Sequence, residues 1–359
     1  MKITVIGAGL AGLTAAHRLQ QAGFSVNVLE RAQFPGGRMA EAHDVGLNYL
    51  TGARLIYSFS KSVMGLVREF DLTDQLCRGL TTPVSSCSQA GEYSVQIGPG
   101  PGLMFNSRLS YGQRWRLLQM AAGMAGRRFS TNPDRLLDWQ HHDEGTLYEY
   151  LNQRSLDQVS RIYIEPVFRG ARGWRMTDVS PVFFLSTTAH MYGAHAYTFD
   201  DGIGLLTERL ARNLDVTYSA DVKNVSRAVS GGSEFSYEAN GLLQSTHADL
   251  VICAVPGSLP LRIISVPTPE ESQFFKCVRY NSGYILHFGI DRPVEPYVRF
   301  FSPDVNASIA AVEVVDQSRI SSSYLSRISV YLSPEAVIQL NTQPVVEGEL
   351  PAIWNDLPD

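Results

Sequence analysis

The chain has 359 residues, 44% of them hydrophobic and 18% charged, with a net charge of −5 and an isoelectric point near 5.9. That balance suits a folded protein large enough for two sizeable cores and excludes a generally basic, nucleic-acid-binding surface. No run of eighteen apolar residues is present, so no membrane-spanning helix is expected.

Cys77, Cys87, Cys253 and Cys277 form no C-x-x-C pair, which points to free thiols in a reducing, cytoplasmic setting and to neither a disulfide framework nor a zinc site. Lys2 to Ile6 is a short apolar strand that stops at Gly7, and its early start leaves no room for a leader peptide. Gly7-Ala8-Gly9-Leu10-Ala11-Gly12 follows at once, the G-x-G-x-x-G pattern between a strand and a helix. Gly7 permits the tight turn, Gly9 leaves the backbone bare for a pyrophosphate, and Gly12 lets the helix lie close to the strand. The helix N-terminus offers free N–H groups and partial positive charge to phosphates. Leu13, Ala16 and Leu19 form its apolar face, Gly23 ends it, and Val26 to Leu29 is the next strand. Glu30 closes the unit eighteen residues after Gly12, where an acid accepts hydrogen bonds from an adenosine ribose. The plain alternative is a βαβ unit that binds nothing.

Glu30-Arg31 and Pro35-Gly36-Gly37-Arg38 then form a second phosphate-facing loop, with Arg38 as a charge-assisted donor. A nicotinamide enzyme has no need of such a loop. At these residues the sequence resembles the flavin-containing amine oxidase superfamily, which includes protoporphyrinogen oxidases, monoamine and polyamine oxidases and phytoene-desaturase-like enzymes. The match runs through Gly7-x-Gly9-Leu10-x-Gly12-Leu13, Gly23, Val26-x-Val28-Leu29-Glu30 and Gly36-Gly37-Arg38. The resemblance implies FAD as cofactor and an α/β fold. A Rossmann-like FAD-binding domain would interleave with an α+β substrate domain, the two-domain architecture of p-hydroxybenzoate hydroxylase and the amine oxidases. It also places Asp44 and Gly46 on a strand returning to the flavin, although Leu47, Asn48, Tyr49 and Thr51 depart from the small residues usual there. Arg54 is a candidate cofactor or substrate contact, with a surface arginine the equal alternative.

Tyr57 to Phe70 reads as a helix with Phe59, Val63, Leu66 and Val67 facing a core, followed by short strands up to Phe105 and a break at Gly98-Pro99-Gly100-Pro101-Gly102. Gln113 to Phe129 reads as a helix whose Arg114, Arg116, Arg127 and Arg128 lie among Trp115, Leu117, Leu118 and Met120. It is expected to be a substrate-lobe helix with a solvated basic edge, a membrane-surface helix being the alternative. His141 and His142 on an extended segment would point apart and make poor metal co-ligands. Asp143 is expected to cap a helix from Thr146 to Gln153. Ile164 to Gly170 resembles the family's proline-glycine helix and turn, and Pro181 to His190 is a further apolar helix.

Phe199 to Leu206 resembles the family's glycine turn back into the cofactor domain, with a helix over Leu205 to Asn213. Strands are expected at Val216 to Tyr218, Val222 to Val229 and Glu234 to Glu238, with a turn at Ser230-Gly231-Gly232-Ser233. The resemblance gives Val222 a backbone contact with adenine. Ala248 to Pro256 is a buried parallel strand whose end, Ala254-x-Pro256, resembles the family's segment near the pyrophosphate. Phe274 to Tyr280, Tyr284 to Ile290, Ala307 to Val315 and Arg327 to Leu332 read as strands, and Pro334 to Asn341 as a helix. The expected domains are thus 1–56 with 198–260 for FAD, and 57–197 with 261–359 for substrate.

In the family a tryptophan and a Leu-Pro pair like Trp354 and Leu357-Pro358 precede a last segment whose helix N-terminus faces the flavin. The expectation is therefore a truncated chain, a short variant being the alternative. No catalytic residue can be assigned, and no metal is expected, because a flavin supplies the redox chemistry itself. The expected function is FAD-dependent dehydrogenation of a small, largely apolar substrate by hydride transfer. An NAD(P)-dependent dehydrogenase and a catalytically silent FAD-binding protein are the alternatives. Peripheral membrane contact stays open, and the sequence does not set an oligomeric state.

Overall fold

The strand at the head of the chain lies in the middle of a parallel sheet. A computed structural model describes residues 1–44, 46–79, 82–95, 109–191, 193–199, 202–317 and 323–342. Lys2–Ile6 (β1) pairs in parallel with Ser25–Leu29 on one side and with Leu250–Cys253 on the other. Asp215–Thr217 extends the sheet beyond Ser25–Leu29. Interior placement explains the composition of β1, since Ile3, Thr4, Val5 and Ile6 are all buried.

The helix Leu10–Gln21 (α1) covers one face of this sheet. Leu13 and Ala16 pack with Val5, Val28 and the buried Leu205, Leu206 and Leu210 of the helix Leu205–Ala211. Its end is a Schellman motif, with Gly23 donating to the Gln20 carbonyl at 2.9 Å and Phe24 to that of Leu19 at 3.1 Å. The opposite face is covered by an antiparallel sheet of Ala220–Arg227, Ser233–Ala239 and Leu242–Ala248. Ile6 and Leu29 pack there against Val222, Val225 and Phe235. Helix, parallel sheet and antiparallel sheet thus make three layers around β1.

A six-stranded sheet has the order Ile285–Ile290, Ser326–Leu332, Ile309–Asp316, Tyr297–Phe301, Val84–Ser88, Gly91–Ser94. Val84–Ser88 joins it in parallel with Tyr297–Phe301, so distant segments interleave. Against it lies a helical cluster with its own core, including Leu117, Trp139, Leu147, Leu151, Leu156 and Leu185. Arg169 joins cluster to sheet. Its side chain is 2% exposed, and its guanidinium donates to the carbonyls of Phe301, Asn306, Ala307 and Ile309 and to Glu335.

Four local expectations are corrected. Phe274 to Tyr280 is not a strand; Pro269–Cys277 is a helix, because Thr268 and Glu271 form a reciprocal capping box and Pro269 starts the first turn. Asp143 does not cap the next helix. Thr146 does, with Glu149 completing the box, while Asp143 accepts from Ser180 Oγ at 2.6 Å. The helix expected from Tyr57 begins at Lys61, because Ile56–Tyr57 is a strand paired with Ala196 and Tyr197. His141 and His142 sit in a 3₁₀ turn with ring centroids 4.3 Å apart, so they do not diverge as an extended segment would make them. Gly98 to Gly102, Asp200, Asp201, Trp354, Leu357 and Pro358 lie outside the described residues.

Candidate functional site

The glycine turn between β1 and α1 is built by close backbone contacts. Gly7 has φ +103°, and a Cβ there would stand 2.8 Å from the Ala254 carbonyl oxygen. A Cβ on Gly12 would collide with the Gly7 carbonyl oxygen and meet Ala254 Cβ at 3.0 Å. Both positions are filled by protein. Gly9 differs, because a Cβ there would meet nothing closer than the Gly36 carbonyl oxygen at 4.0 Å. The turn therefore keeps one bare side, at the N-terminus of α1, where an anionic group can approach the backbone.

Glu30 lies beside this turn. Its Oε2 accepts from the Ala8 amide at 2.7 Å and its Oε1 from the Ala32 amide at 2.8 Å. A carboxylate has about four acceptor lone-pair sites, so two remain for ribose hydroxyls. The Gly36 amide donates to the Ala8 carbonyl at 2.8 Å, and Gly9 and Gly36 form an isolated parallel bridge. Gly36 can do so because its φ is +116°. The two glycine loops therefore meet, and the predicted Gly37 and Arg38 are brought to the Gly9 side.

Arg31 and Arg38 are exposed. The Arg38 guanidinium lies 6.0 Å from the Tyr280 ring, and the Tyr280 hydroxyl accepts from the Gly257 amide at 2.9 Å. Tyr280 therefore links Arg38 to the turn after Ala254 and Pro256. Sequence reasoning missed this link, because Tyr280 carries no motif. Ala254 packs on the glycine turn, and its amide donates to the Ile6 carbonyl at 2.8 Å. Leu10 is partly buried in the core and Ala11 is exposed at the start of α1. Val222 is buried two residues beyond Ala220, whose amide donates to the Glu30 carbonyl at 2.8 Å.

Arg54 stands apart from this group. It donates to Glu313 Oε1 at 2.6 Å and lies 4.6 Å from the Tyr331 ring. Glu313 also accepts from the Tyr331 hydroxyl at 3.1 Å and pairs with Arg327 at 3.7 Å. Arg327 donates in turn to the Asn48 carbonyl, and Tyr49 stacks on His287 at 4.9 Å. Burial, reinforced by Arg327 and Arg54, pushes the His287 imidazole down to about 4, so its ring is neutral at pH 7. These residues tie the strand Leu47–Leu50 to the six-stranded sheet. The pairing of Arg54 with Glu313 has no local sequence signal, since the two are distant in the chain.

The family model for flavin-containing amine oxidoreductases matches residues 10–336. The chain belongs to that family. Its cofactor is therefore FAD. Over 335 residues it is 24% identical to the protein FLOWERING LOCUS D of Arabidopsis thaliana, covering 85% of this chain and 37% of that one. Over 326 residues it is 25% identical to the zeta-carotene-forming phytoene desaturase of Myxococcus xanthus, covering 81% and 60%. The chain thus spans less than two thirds of either relative. A putrescine oxidase variant superposes with a TM-score of 0.69 at 17% identity, over 96% of this chain and 77% of that one. For a protein described as a putative protoporphyrinogen oxidase from Exiguobacterium the TM-score is 0.64 at 17% identity, over 92% and 76%. These likenesses establish the two-domain FAD oxidoreductase fold of the family member described here.

Among the described residues no group of three or more His, Cys, Asp or Glu side chains is arranged to hold a metal ion, and no helix is long and apolar enough to cross a membrane.

Proposed function

We propose that this chain dehydrogenates a small, largely apolar molecule, with FAD taking the hydride. The observation that carries the reading is the bare side of Gly9, facing the second glycine loop beside a carboxylate already fixed in place. FAD, when bound, supplies the ring that accepts the hydride. The chain's own part is to bind and orient. The bare backbone at Gly9 and the first amides of the helix at Leu10, Ala11 and Gly12 receive the diphosphate, Gly7 and Ala8 shape the turn, Glu30 takes the ribose, and Arg31, Gly37 and Arg38 line the second phosphate-facing loop. The Val222 backbone meets adenine, and Ala254 and Pro256 close the pyrophosphate side. Arg54, held by Glu313 and the Tyr331 ring, is the remaining candidate contact for cofactor or substrate.

The apolar substrate class is favoured by the phytoene desaturases among the relatives. The test is the visible spectrum of the purified protein and its anaerobic bleaching by polyene or porphyrinogen substrates. Yellow protein that releases FAD on denaturation and is bleached supports the reading. Colourless protein that takes up neither FAD nor NAD would sink it, and yellow protein that no such substrate bleaches favours the silent FAD-binding alternative.

A second observation bears on where the substrate is met. On the helix Tyr111–Arg127, Tyr111, Trp115 and Leu118 are 87%, 61% and 43% exposed at helical spacing, and Phe129 beyond it is 88% exposed. Arg114, Arg116 and Arg128 flank them. This edge makes peripheral contact with an anionic membrane surface in a cytoplasmic enzyme. Sedimentation with phosphatidylglycerol vesicles that survives Trp115→Ser with Leu118→Ser would overturn that part.

A further inference from the structure

A cavity of about 510 Å³ opens in the helical cluster, between the helices Tyr111–Arg127, Leu147–Gln153 and Pro181–Met191 and the 3₁₀ turn Leu136–His142. Its size falls within the range of about 300–1,000 Å³ common to small-molecule sites. It shares no lining residue with the glycine turn, the Arg38 loop or the Arg54–Glu313 network. Nothing in the proposed flavin chemistry uses it.

Its floor is apolar. Met124, Trp139, Leu156 and Leu185 are buried in the helical core, with Met120 packed beside them. Its walls are cationic, carrying Arg116, Arg127 and Arg154 and no carboxylate. Among the described residues none of these three arginines forms an ion pair. Two of them are held by rings. Arg154 lies 3.5 Å over Tyr150 and donates to its carbonyl at 3.1 Å, while Arg127 lies 5.4 Å from Trp139 and shares a hydrogen bond with His141.

Ser155, between Arg154 and the buried Leu156, takes a left-handed φ of +49° where it closes the helix Leu147–Gln153, its amide donating to the Asn152 carbonyl at 2.8 Å and that of Leu156 to the Leu151 carbonyl at 3.0 Å. His142 is kept below its usual pKa by burial first, then by Arg127, His141 and Arg154. Unpaired cations grouped around an apolar floor repel one another until an anion joins them. A planar carboxylate matches the fork of a guanidinium, and an apolar body matches the floor.

We propose that this cavity binds a small amphiphilic carboxylate, with an aliphatic or aromatic body on the methionine and leucine floor and its charge between Arg127 and Arg154. The site is separate from the flavin cradle, so it holds a ligand in addition to FAD.

The test is calorimetric titration of the flavin-loaded full chain with decanoate, with decanol and inorganic phosphate as comparisons. Decanoate is expected to bind at least tenfold tighter than either. The pKa of the His142 ring, followed by NMR, should rise at saturation. Arg127→Gln with Arg154→Gln should weaken decanoate at least tenfold and leave FAD content unchanged. If that pair fails to fold, Gly123→Leu gives an independent check, because a Cβ at Gly123 meets nothing within 4 Å and its side chain would enter the cavity. Decanoate binding should then be lost with FAD retained. Decanol or phosphate binding as tightly as decanoate, or unchanged decanoate affinity in Gly123→Leu, would overturn the proposal.

Discussion

The Ala8 amide donates 2.7 Å to Glu30 Oε2, so the acid at the end of the second strand braces the turn that follows the first. Its other oxygen is held by Ala32 at 2.8 Å. Glu30→Gln keeps one acceptor and turns an NH₂ toward a second amide N–H. The apoprotein should lose about 1–3 kcal/mol, read by urea unfolding, and FAD affinity should fall at least tenfold, read by fluorescence titration. A variant with normal stability and normal FAD affinity would show that neither contact matters.

Gly9 and Gly12 separate binding from folding. Gly9→Ala places its methyl in open space, so the fold should survive while FAD retention is lost. Gly12→Ala drives a methyl into the Gly7 carbonyl, and overpacking there should cost about 3 kcal/mol or more. Thermal melts of the two apoproteins, beside their absorbance after FAD loading, distinguish these outcomes.

Arg169 serves four backbone carbonyls and Glu335 from a buried position. Arg169→Met leaves those carbonyls without donors and should destabilise the protein by about 3–5 kcal/mol in urea. Arg169→Lys should recover little, because an ammonium lacks the planar set of five donors. Full recovery by lysine would mean that only charge is needed there.

His287 gives a pH signature. Its folded pKa of about 4 lies below the roughly 6.5 of an unfolded histidine. Between those values the unfolded chain binds a proton that the folded chain does not. The native state is therefore favoured fully above pH 6.5 and less as pH falls towards 4. With allowance for solvent around a half-buried ring, the loss from pH 7 to pH 5 should be about 1 kcal/mol. His287→Gln should flatten that part of the stability–pH curve, and an unchanged slope would assign it to other groups.

The cofactor half of the fold was legible because its signals are local. The first strand, the glycine turn, the helix and Glu30 fall within one stretch, and each residue type has a backbone reason to be there. Leu242–Ala248 gave no such signal, since Leu242 and Leu243 are exposed and no alternating pattern marks a buried face. Alternation along the segment suggested a strand over Phe274 to Tyr280, but the capping box at Thr268 and Glu271 outweighs that pattern on an exposed segment. Arg169, Tyr280 and the Arg54–Glu313 pair were invisible because their partners are far away in sequence. Ion pairing and donor satisfaction across a fold leave no periodicity to read.

The glycine turn rests on Ala254, and β1 is flanked by strands that lie roughly 220 residues apart in the chain. During synthesis the first strand therefore leaves the ribosome long before its second neighbour exists. At about 5–20 residues per second that interval is about 10–45 s. For that time Ile3, Val5 and Ile6 have one partner strand, and the nucleotide cradle lacks a wall. Flavin capture is thus a late event in the birth of this protein, and a nascent chain halted before residue 250 should emerge without cofactor.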